Sequence, residues 1–128
     1  MLRLNSLPGN IAKVENLVDD VVNQYRLSSD QKGSILISLT EAVTNAMRHG
    51  NSNDEHKAVE VRHRQQEGRL SFSITDEGSG FDYNNLPDPT APENIMKCGG
   101  RGVFLMRQLA DELEFRNNGS TVEMRFKI

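Results

Sequence analysis

The apolar residues of this chain recur with two different periods, and the order of those periods limits the folds it can adopt. Helical spacing runs through three stretches, residues 10–25, 28–50 and 103–113. Strand alternation appears in four, around residues 1–6, 59–64, 70–76 and 122–128. The pair Asn118-Gly119 is a strong hairpin-turn signal and implies one more strand before it. The order β-α-α-β-β-loop-α-β-β predicts an α+β fold, a two-layer α/β sandwich whose mixed, mostly antiparallel sheet of about five strands is covered on one face by three helices.

The size and charge of the chain narrow its class before any motif is considered. With 128 residues and 14.4 kDa, it is expected to form one domain over residues 1–128. A net charge of −3 and the absence of Trp argue against nucleic acid as a direct partner. No apolar stretch reaches the roughly 18 residues that span a bilayer, and no signal peptide is recognisable. We therefore expect a cytoplasmic protein without a membrane partner.

The first block of chemically informative residues lies on the second predicted helix. Glu41 and Asn45 are four residues apart, hence one turn apart on one face, and Arg48 and His49 fall in the same sector. This arrangement fits a solvated polar face. It also fits a site in which Glu41 is the general base for an attacking hydroxyl and the Asn45 amide oxygen binds Mg²⁺, a cation that takes few protein ligands.

The second block ends a predicted strand. Asp76 lies two residues after Ile74 and continues the apolar face of that strand, so its carboxylate should point inward. A buried carboxylate needs hydrogen-bond donors, and the exocyclic amine of adenine is one. Gly78 and Gly80 would let the backbone approach a flat ring closely. The alternative is an ordinary turn at the end of a strand, since Asp, Ser and Gly are common turn residues.

The third block, Gly99-Gly100-Arg101-Gly102, opens the last predicted helix after a loop of about 20 residues, a length that is usually functional. Backbone N–H groups at a helix N-terminus, with glycine leaving them uncovered, can bind an anion, and Arg101 or Lys97 would add charge. A hinge or a simple helix start explains the same residues.

A hydroxyl on the last strand has two interpretations. Ser120 shares the strand parity of Val122, Met124 and Phe126 and so would face the same interior as Asp76. Its hydroxyl could join a network around adenine. It could equally bond within the turn at Asn118-Gly119.

Taken together and in this order, the blocks resemble the motifs of the GHKL, or Bergerat-fold, ATPases. Glu41–Gly50 is similar to the N-box of that superfamily, Asp76–Gly80 to its first glycine box and Gly99–Leu105 to its second. The resemblance covers nearly the whole chain, including the closing turn Gly119–Thr121. Within the superfamily the chain is most similar to the anti-sigma factor serine/threonine kinases, also called switch-protein kinases.

The resemblance implies a role for each matching residue. Glu41 would be the catalytic base and Asn45 the Mg²⁺ ligand, with residues 83–98 as the lid over ATP. The residues expected to bind ATP are Arg48, His49, Asp76, Gly78, Gly80, Gly99, Gly100, Arg101, Gly102 and Ser120. Ser120 stands where relatives often carry Thr, a change that keeps the hydroxyl.

The same resemblance implies partners. The protein would use ATP and Mg²⁺ to phosphorylate a Ser or Thr of a STAS-domain anti-anti-sigma factor, and it would sequester a sigma factor. Members of this family are commonly homodimers, which makes a homodimer the expected assembly. The competing interpretation is a non-catalytic ATP-binding regulatory module, whose nucleotide state gates partner binding without phosphoryl transfer.

Overall fold

Five strands form a single sheet in the part of the chain that the structure, a computed structural model, describes, namely residues 1–78 and 100–128. The strands are β1 (Leu2–Asn5), β2 (Ala58–Gln66), β3 (Arg69–Thr75), β4 (Glu112–Arg116) and β5 (Thr121–Lys127). Their order is β1-β2-β3-β5-β4, and each of these neighbouring pairs is antiparallel. The turn between β2 and β3 is made by Glu67 and Gly68, both with positive φ, as a type I′ hairpin turn of two residues requires.

Three helices accompany the sheet within these residues: α1 (Ile11–Tyr25), α2 (Ser29–Asn45) and α3 (Gly100–Leu109). The start of α2 is a capping box, in which the Ser28 side chain accepts from the Gln31 N–H at 3.1 Å and the Gln31 side chain accepts from the Ser28 N–H at 2.8 Å. One π-helical turn, Ala46–Gly50, continues α2 beyond Asn45. That turn delivers the chain to the sheet end where β3 finishes.

The helices cover one face of the sheet and bury the core there. The sheet contributes Leu4, Val59, Val61, Leu70, Phe72, Ile74, Val122, Met124 and Phe126. The helices contribute Val14, Val18, Val21, Ile35, Leu39, Ala42, Val43, Ala46, Met47, Val103 and Met106. The predicted two-layer α+β architecture is thereby confirmed. None of the helices in the described residues has the length and apolar character that crossing a bilayer requires.

The predicted end of the third helical stretch is wrong. That helix finishes at Leu109, whereas Leu113 belongs to β4 and lies opposite Met124 of β5. The change begins at Asp111, whose N–H donates to the Arg125 carbonyl at 2.9 Å and so starts the pairing with β5. An apolar residue at this spacing suits either element, and the partner strand decides between them.

Candidate functional site

The π-helical turn after α2 and the turn after β3 meet at one end of the sheet, where Gly50 lies against the Asp76 side chain and against Gly78. A Cβ atom on Gly50 would overlap the Asp76 carboxylate, and a Cβ atom on Gly78 would overlap the Gly50 carbonyl oxygen. Glycine at both positions therefore allows the backbones to approach this closely. The contact brings together the first and second sequence blocks.

The Asp76 carboxylate is half-buried at this contact. It follows the fully buried Ile74 on the same strand face, as the alternation predicted. The Gly78 N–H donates to Asp76 Oδ1 at 2.7 Å, and the Asp76 N–H donates to the Ser120 carbonyl at 2.9 Å. Burial raises the pKa of Asp76, and the hydrogen bond from Gly78 opposes that rise. A desolvated carboxylate with one donor from its own turn can accept a further donor from a ligand.

Asn51 is the residue of this site that the sequence did not reveal. It is 0% exposed, and its Oδ1 accepts from the Glu77 N–H at 2.8 Å. Its Nδ2 donates to Ser6 Oγ at 3.0 Å and to the Ala58 carbonyl at 3.1 Å. No apolar periodicity runs through residues 51–57 that would distinguish Asn51 within them. Its place directly after the predicted helix stop is the one signal available.

Glu41 and Asn45 lie on α2 as the spacing predicted, both partly buried. The Asn45 Nδ2 atom is buried and has no hydrogen-bond partner among the residues described. A buried amide nitrogen without a partner among these residues is uncommon, and as a donor it can bond an acceptor atom of a ligand. Its amide oxygen is a ligand type that Mg²⁺ accepts, so the chemistry of Asn45 fits the predicted metal. Within residues 1–78 and 100–128, no group of three or more His, Cys, Asp or Glu side chains is placed to hold a metal ion.

Arg48 and His49 occupy the π-helical turn that follows. Arg48 is exposed and His49 is partly buried. Burial lowers the pKa of His49, and the positive charge of Arg48 lowers it further, so the neutral imidazole is favoured near pH 7. A neutral imidazole offers one hydrogen-bond donor and one acceptor, whereas Arg48 supplies the charge of this turn.

The third sequence block opens a helix, as predicted. α3 begins at Gly100, which places Arg101 and Gly102 in its first turn, and the helix packs against α2. Gly80, Gly99 and the proposed lid at residues 83–98 lie outside the described residues. The contribution of this block to an anion site stays a prediction.

The Ser120 hydroxyl adopts the turn interaction that the sequence left open. It donates to the Asn117 carbonyl at 2.9 Å, and β5 begins one residue later, at Thr121. Thr121 is 5% exposed, with its Oγ1 3.1 Å from Thr75 Oγ1. This pair of hydroxyls joins the ends of β3 and β5 beside Asp76. An adenine contact by Ser120 stays a prediction.

Comparison with known proteins identifies the family of the chain. Residues 4–126 match the family described as histidine kinase-like ATPase domain. The chain is 28% identical over 130 residues to the serine-protein kinase RsbW of Bacillus subtilis (strain 168), covering 96% of this chain and 81% of the relative. It is 30% identical over 131 residues to RsbW of Bacillus velezensis, with shares of 96% and 81%. It is 28% identical over 131 residues to RsbW of Staphylococcus epidermidis, with shares of 96% and 82%.

The family match spans both elements that meet at the Gly50–Asp76 contact, together with the sheet and the helices that support them. The chain belongs to the histidine kinase-like ATPase domain family.

Proposed function

We propose that this protein is an ATP-dependent serine/threonine protein kinase that also acts as an anti-sigma factor. The observation that carries the proposal is the contact of Gly50 with Asp76. It places a half-buried carboxylate directly against the end of the helix that bears Glu41 and Asn45. The residues that we propose as purine-binding group, metal ligand and base, namely Asp76, Asn45 and Glu41, thus lie on elements that are in contact.

ATP would be recognised through its adenine amine. The Asp76 carboxylate accepts from that amine, and the carbonyl oxygen of guanine in the same place offers no donor. Asn45 would hold Mg²⁺, which neutralises phosphate charge when bound. Arg48 is exposed one turn beyond Asn45 and is available to phosphate oxygens.

Phosphoryl transfer then needs a base close to the acceptor hydroxyl. The Ser or Thr oxygen of the protein substrate forms a bond to the γ-phosphorus while the bond from that phosphorus to the β,γ-bridging oxygen breaks and ADP leaves. Glu41 accepts the hydroxyl proton. It forms no ion pair within the described part of the chain.

The protein substrate and the regulatory partner rest on similarity. The RsbW relatives are named serine-protein kinases, at 28% and 30% identity in the two Bacillus proteins. The motif resemblance to the switch-protein kinases extends this to a STAS-domain anti-anti-sigma factor as substrate, a sigma factor as the sequestered partner and a homodimer as the assembly. All of this would be carried by one domain over residues 1–128.

The test of the kinase role uses purified protein, labelled ATP and a panel of STAS-domain proteins. We expect Glu41→Gln to reduce phosphate transfer by roughly 10² to 10⁴, the usual contribution of a general base. ATP affinity should stay near the wild-type value, because Glu41 touches the acceptor and not the adenine. Glu15→Gln on the exposed side of α1 is the matched control and should change neither quantity.

Two results would contradict the proposal. Transfer at the wild-type rate by Glu41→Gln would exclude Glu41 as the base. A wild-type protein that binds ATP but phosphorylates no STAS-domain protein would instead favour the non-catalytic regulatory module.

A further inference from the structure

We propose that Asn51 is a positioning residue of the nucleotide site, one that sets where the Asp76 turn lies and thereby the preference for adenine. The inference rests on the proposed role of Asp76. It assigns to Asn51 no contact with ATP, and it concerns a residue outside the three sequence blocks.

Asn51 joins four separate parts of the fold at one point. Its own N–H donates to the Ala46 carbonyl at 2.8 Å and closes the π-helical turn after α2. Its side chain bonds Ser6 beyond β1, Ala58 at the start of β2 and Glu77 after β3. Because Asn51 is completely buried, water cannot replace these bonds without opening the structure.

The neighbours of Asn51 fix the orientation of its amide. The Ser6 hydroxyl donates its proton to the Lys57 carbonyl at 2.8 Å, so toward Asn51 it can only accept. The Ala58 carbonyl is also an acceptor. Both therefore require the NH₂ end of the amide, which leaves Oδ1 to face the Glu77 N–H. A rotated amide would place donor against donor at Glu77 and lose all three bonds.

Glu77 closes this arrangement into a ring of three residues. Its carboxylate accepts from the Ala58 N–H, while Asn51 Nδ2 donates to the Ala58 carbonyl and the Glu77 N–H donates to Asn51 Oδ1. We call these three residues, Asn51, Ala58 and Glu77, the Asn51 triangle. Each side of the triangle is a hydrogen bond, so the Glu77 backbone cannot move without breaking at least one.

The position of Glu77 determines that of Asp76, since the two are adjacent in the chain. The Asp76 carboxylate already touches Gly50, and the Gly50 carbonyl leaves no room for a Cβ atom on Gly78. There is no free space between the turn and Gly50 that could take up a small displacement. Such a displacement therefore changes the direction of the Asp76 carboxylate. Loss of Asn51 should misdirect the group that distinguishes adenine from guanine.

The experiment compares Asn51→Ala with Ser6→Ala in the full chain, using isothermal titration calorimetry with ATP and with GTP. Ser6→Ala removes the hydroxyl that accepts from Asn51 Nδ2, and it keeps the hydrogen bond between the Glu77 N–H and Asn51 Oδ1. We expect both variants to lower the melting temperature. Only Asn51→Ala should reduce the ATP-to-GTP affinity ratio, by about tenfold, the size expected for one buried hydrogen bond.

An unchanged ratio in folded Asn51→Ala, or an equal fall in both variants, would overturn the proposal. If Asn51→Ala does not fold, Glu77→Ala decides. Glu77 is exposed, and its truncation removes the hydrogen bond from the Ala58 N–H to the Glu77 carboxylate. Glu77→Ala should therefore also lower the ATP-to-GTP affinity ratio. A wild-type ratio in this variant would count against the Asn51 triangle.

Failure of the underlying function has a different signature. Wild-type protein that binds ATP and GTP equally would remove the adenine role of Asp76. In that case, the inference about Asn51 requires that Asn51→Ala weakens ATP binding more than Ser6→Ala does. Equal weakening by the two variants would overturn it. Wild-type protein that binds neither nucleotide would overturn both proposals.

Discussion

At the scale of single residues, Asp76 shows a conflict between stability and binding. Burial raises its pKa above the usual 3.8, which means that the folded protein holds the Asp76 proton more tightly than the unfolded chain does. Its contribution to stability is therefore complete below pH 3.8 and is lost as the pH rises through the folded-state pKa. Above that pKa the ionised carboxylate costs the fold stability, and it can accept a hydrogen bond from a ligand.

We accordingly expect Asp76→Asn to be at least as stable as the wild type near pH 7 while binding ATP at least tenfold more weakly, the loss expected for one hydrogen bond to a charged group. In denaturant unfolding from about pH 3 to pH 7, the free energy of unfolding of Asp76→Asn relative to the wild type should increase with pH and then level off. Asp20→Asn on the exposed side of α1 is the control. Lower stability of Asp76→Asn at neutral pH, with ATP affinity intact, would contradict this account.

At the scale of elements, the junction between the π-helical turn after α2 and the turn after β3 depends on the absence of a side chain at Gly50. We expect Gly50→Ala to lower the free energy of unfolding by roughly 1 to 3 kcal/mol, the usual cost of overpacking. It should also weaken ATP binding, because the added methyl group displaces the Asp76 carboxylate. Denaturant titration and calorimetry with ATP measure the two effects.

Gly33→Ala provides a control within α2 itself. A Cβ atom there meets nothing within 4 Å, and alanine favours a helix over glycine. The free energy of unfolding of this variant should be about 0.5 to 1 kcal/mol higher than that of the wild type, and its ATP affinity should be unchanged. Equal behaviour of the two alanine variants would mean that the close approach at Gly50 has no role.

The elements also show how far sequence reasoning reaches. The apolar stripe of α2 and the alternation of β3 are local patterns, and both predicted the buried face correctly, Ile74 included. The assignment of Leu113 failed because Met124 of β5, not the local spacing, places it in a strand. Asn51 escaped notice for the same reason, since its partners Ser6 and Glu77 are 45 and 26 residues away in sequence.

At the scale of the whole molecule, the sheet face opposite the helices has its own charged network. Glu123 is only 5% exposed and bonds Arg116 at 3.0 Å as well as Arg125. Arg125 also reaches Glu114 at 2.8 Å and Glu112 at 3.2 Å. The hydrogen bond from Arg125 lowers the pKa of Glu114, so this interaction stabilises the fold above pH 4.5 and is lost in acid.

We expect Arg125→Ala to destabilise the protein by roughly 2 to 4 kcal/mol. The substitution removes one of the two positive charges that pair with the buried Glu123 carboxylate, which then lies beside other carboxylates. ATP affinity should not change, since the network lies across the sheet from α2. The effect should shrink toward acid pH. Arg64→Ala, an exposed position on β2, should have little effect, and a comparable loss there would rule out a specific network.

The Asn51 triangle has a consequence for hydrogen exchange. The amide protons of Glu77 and Ala58 are held by side-chain oxygens, and those two bonds share the same three residues. Both protons should therefore become exchangeable in one local opening, whose free energy is smaller than that of global unfolding. The rates at these two amides would then rise and fall together, and bound nucleotide would slow both by the same factor. The two amides at this end of the sheet would then exchange more slowly when the site is filled, and in either state faster than the amides of the central strand β3, which we expect to open only with global unfolding.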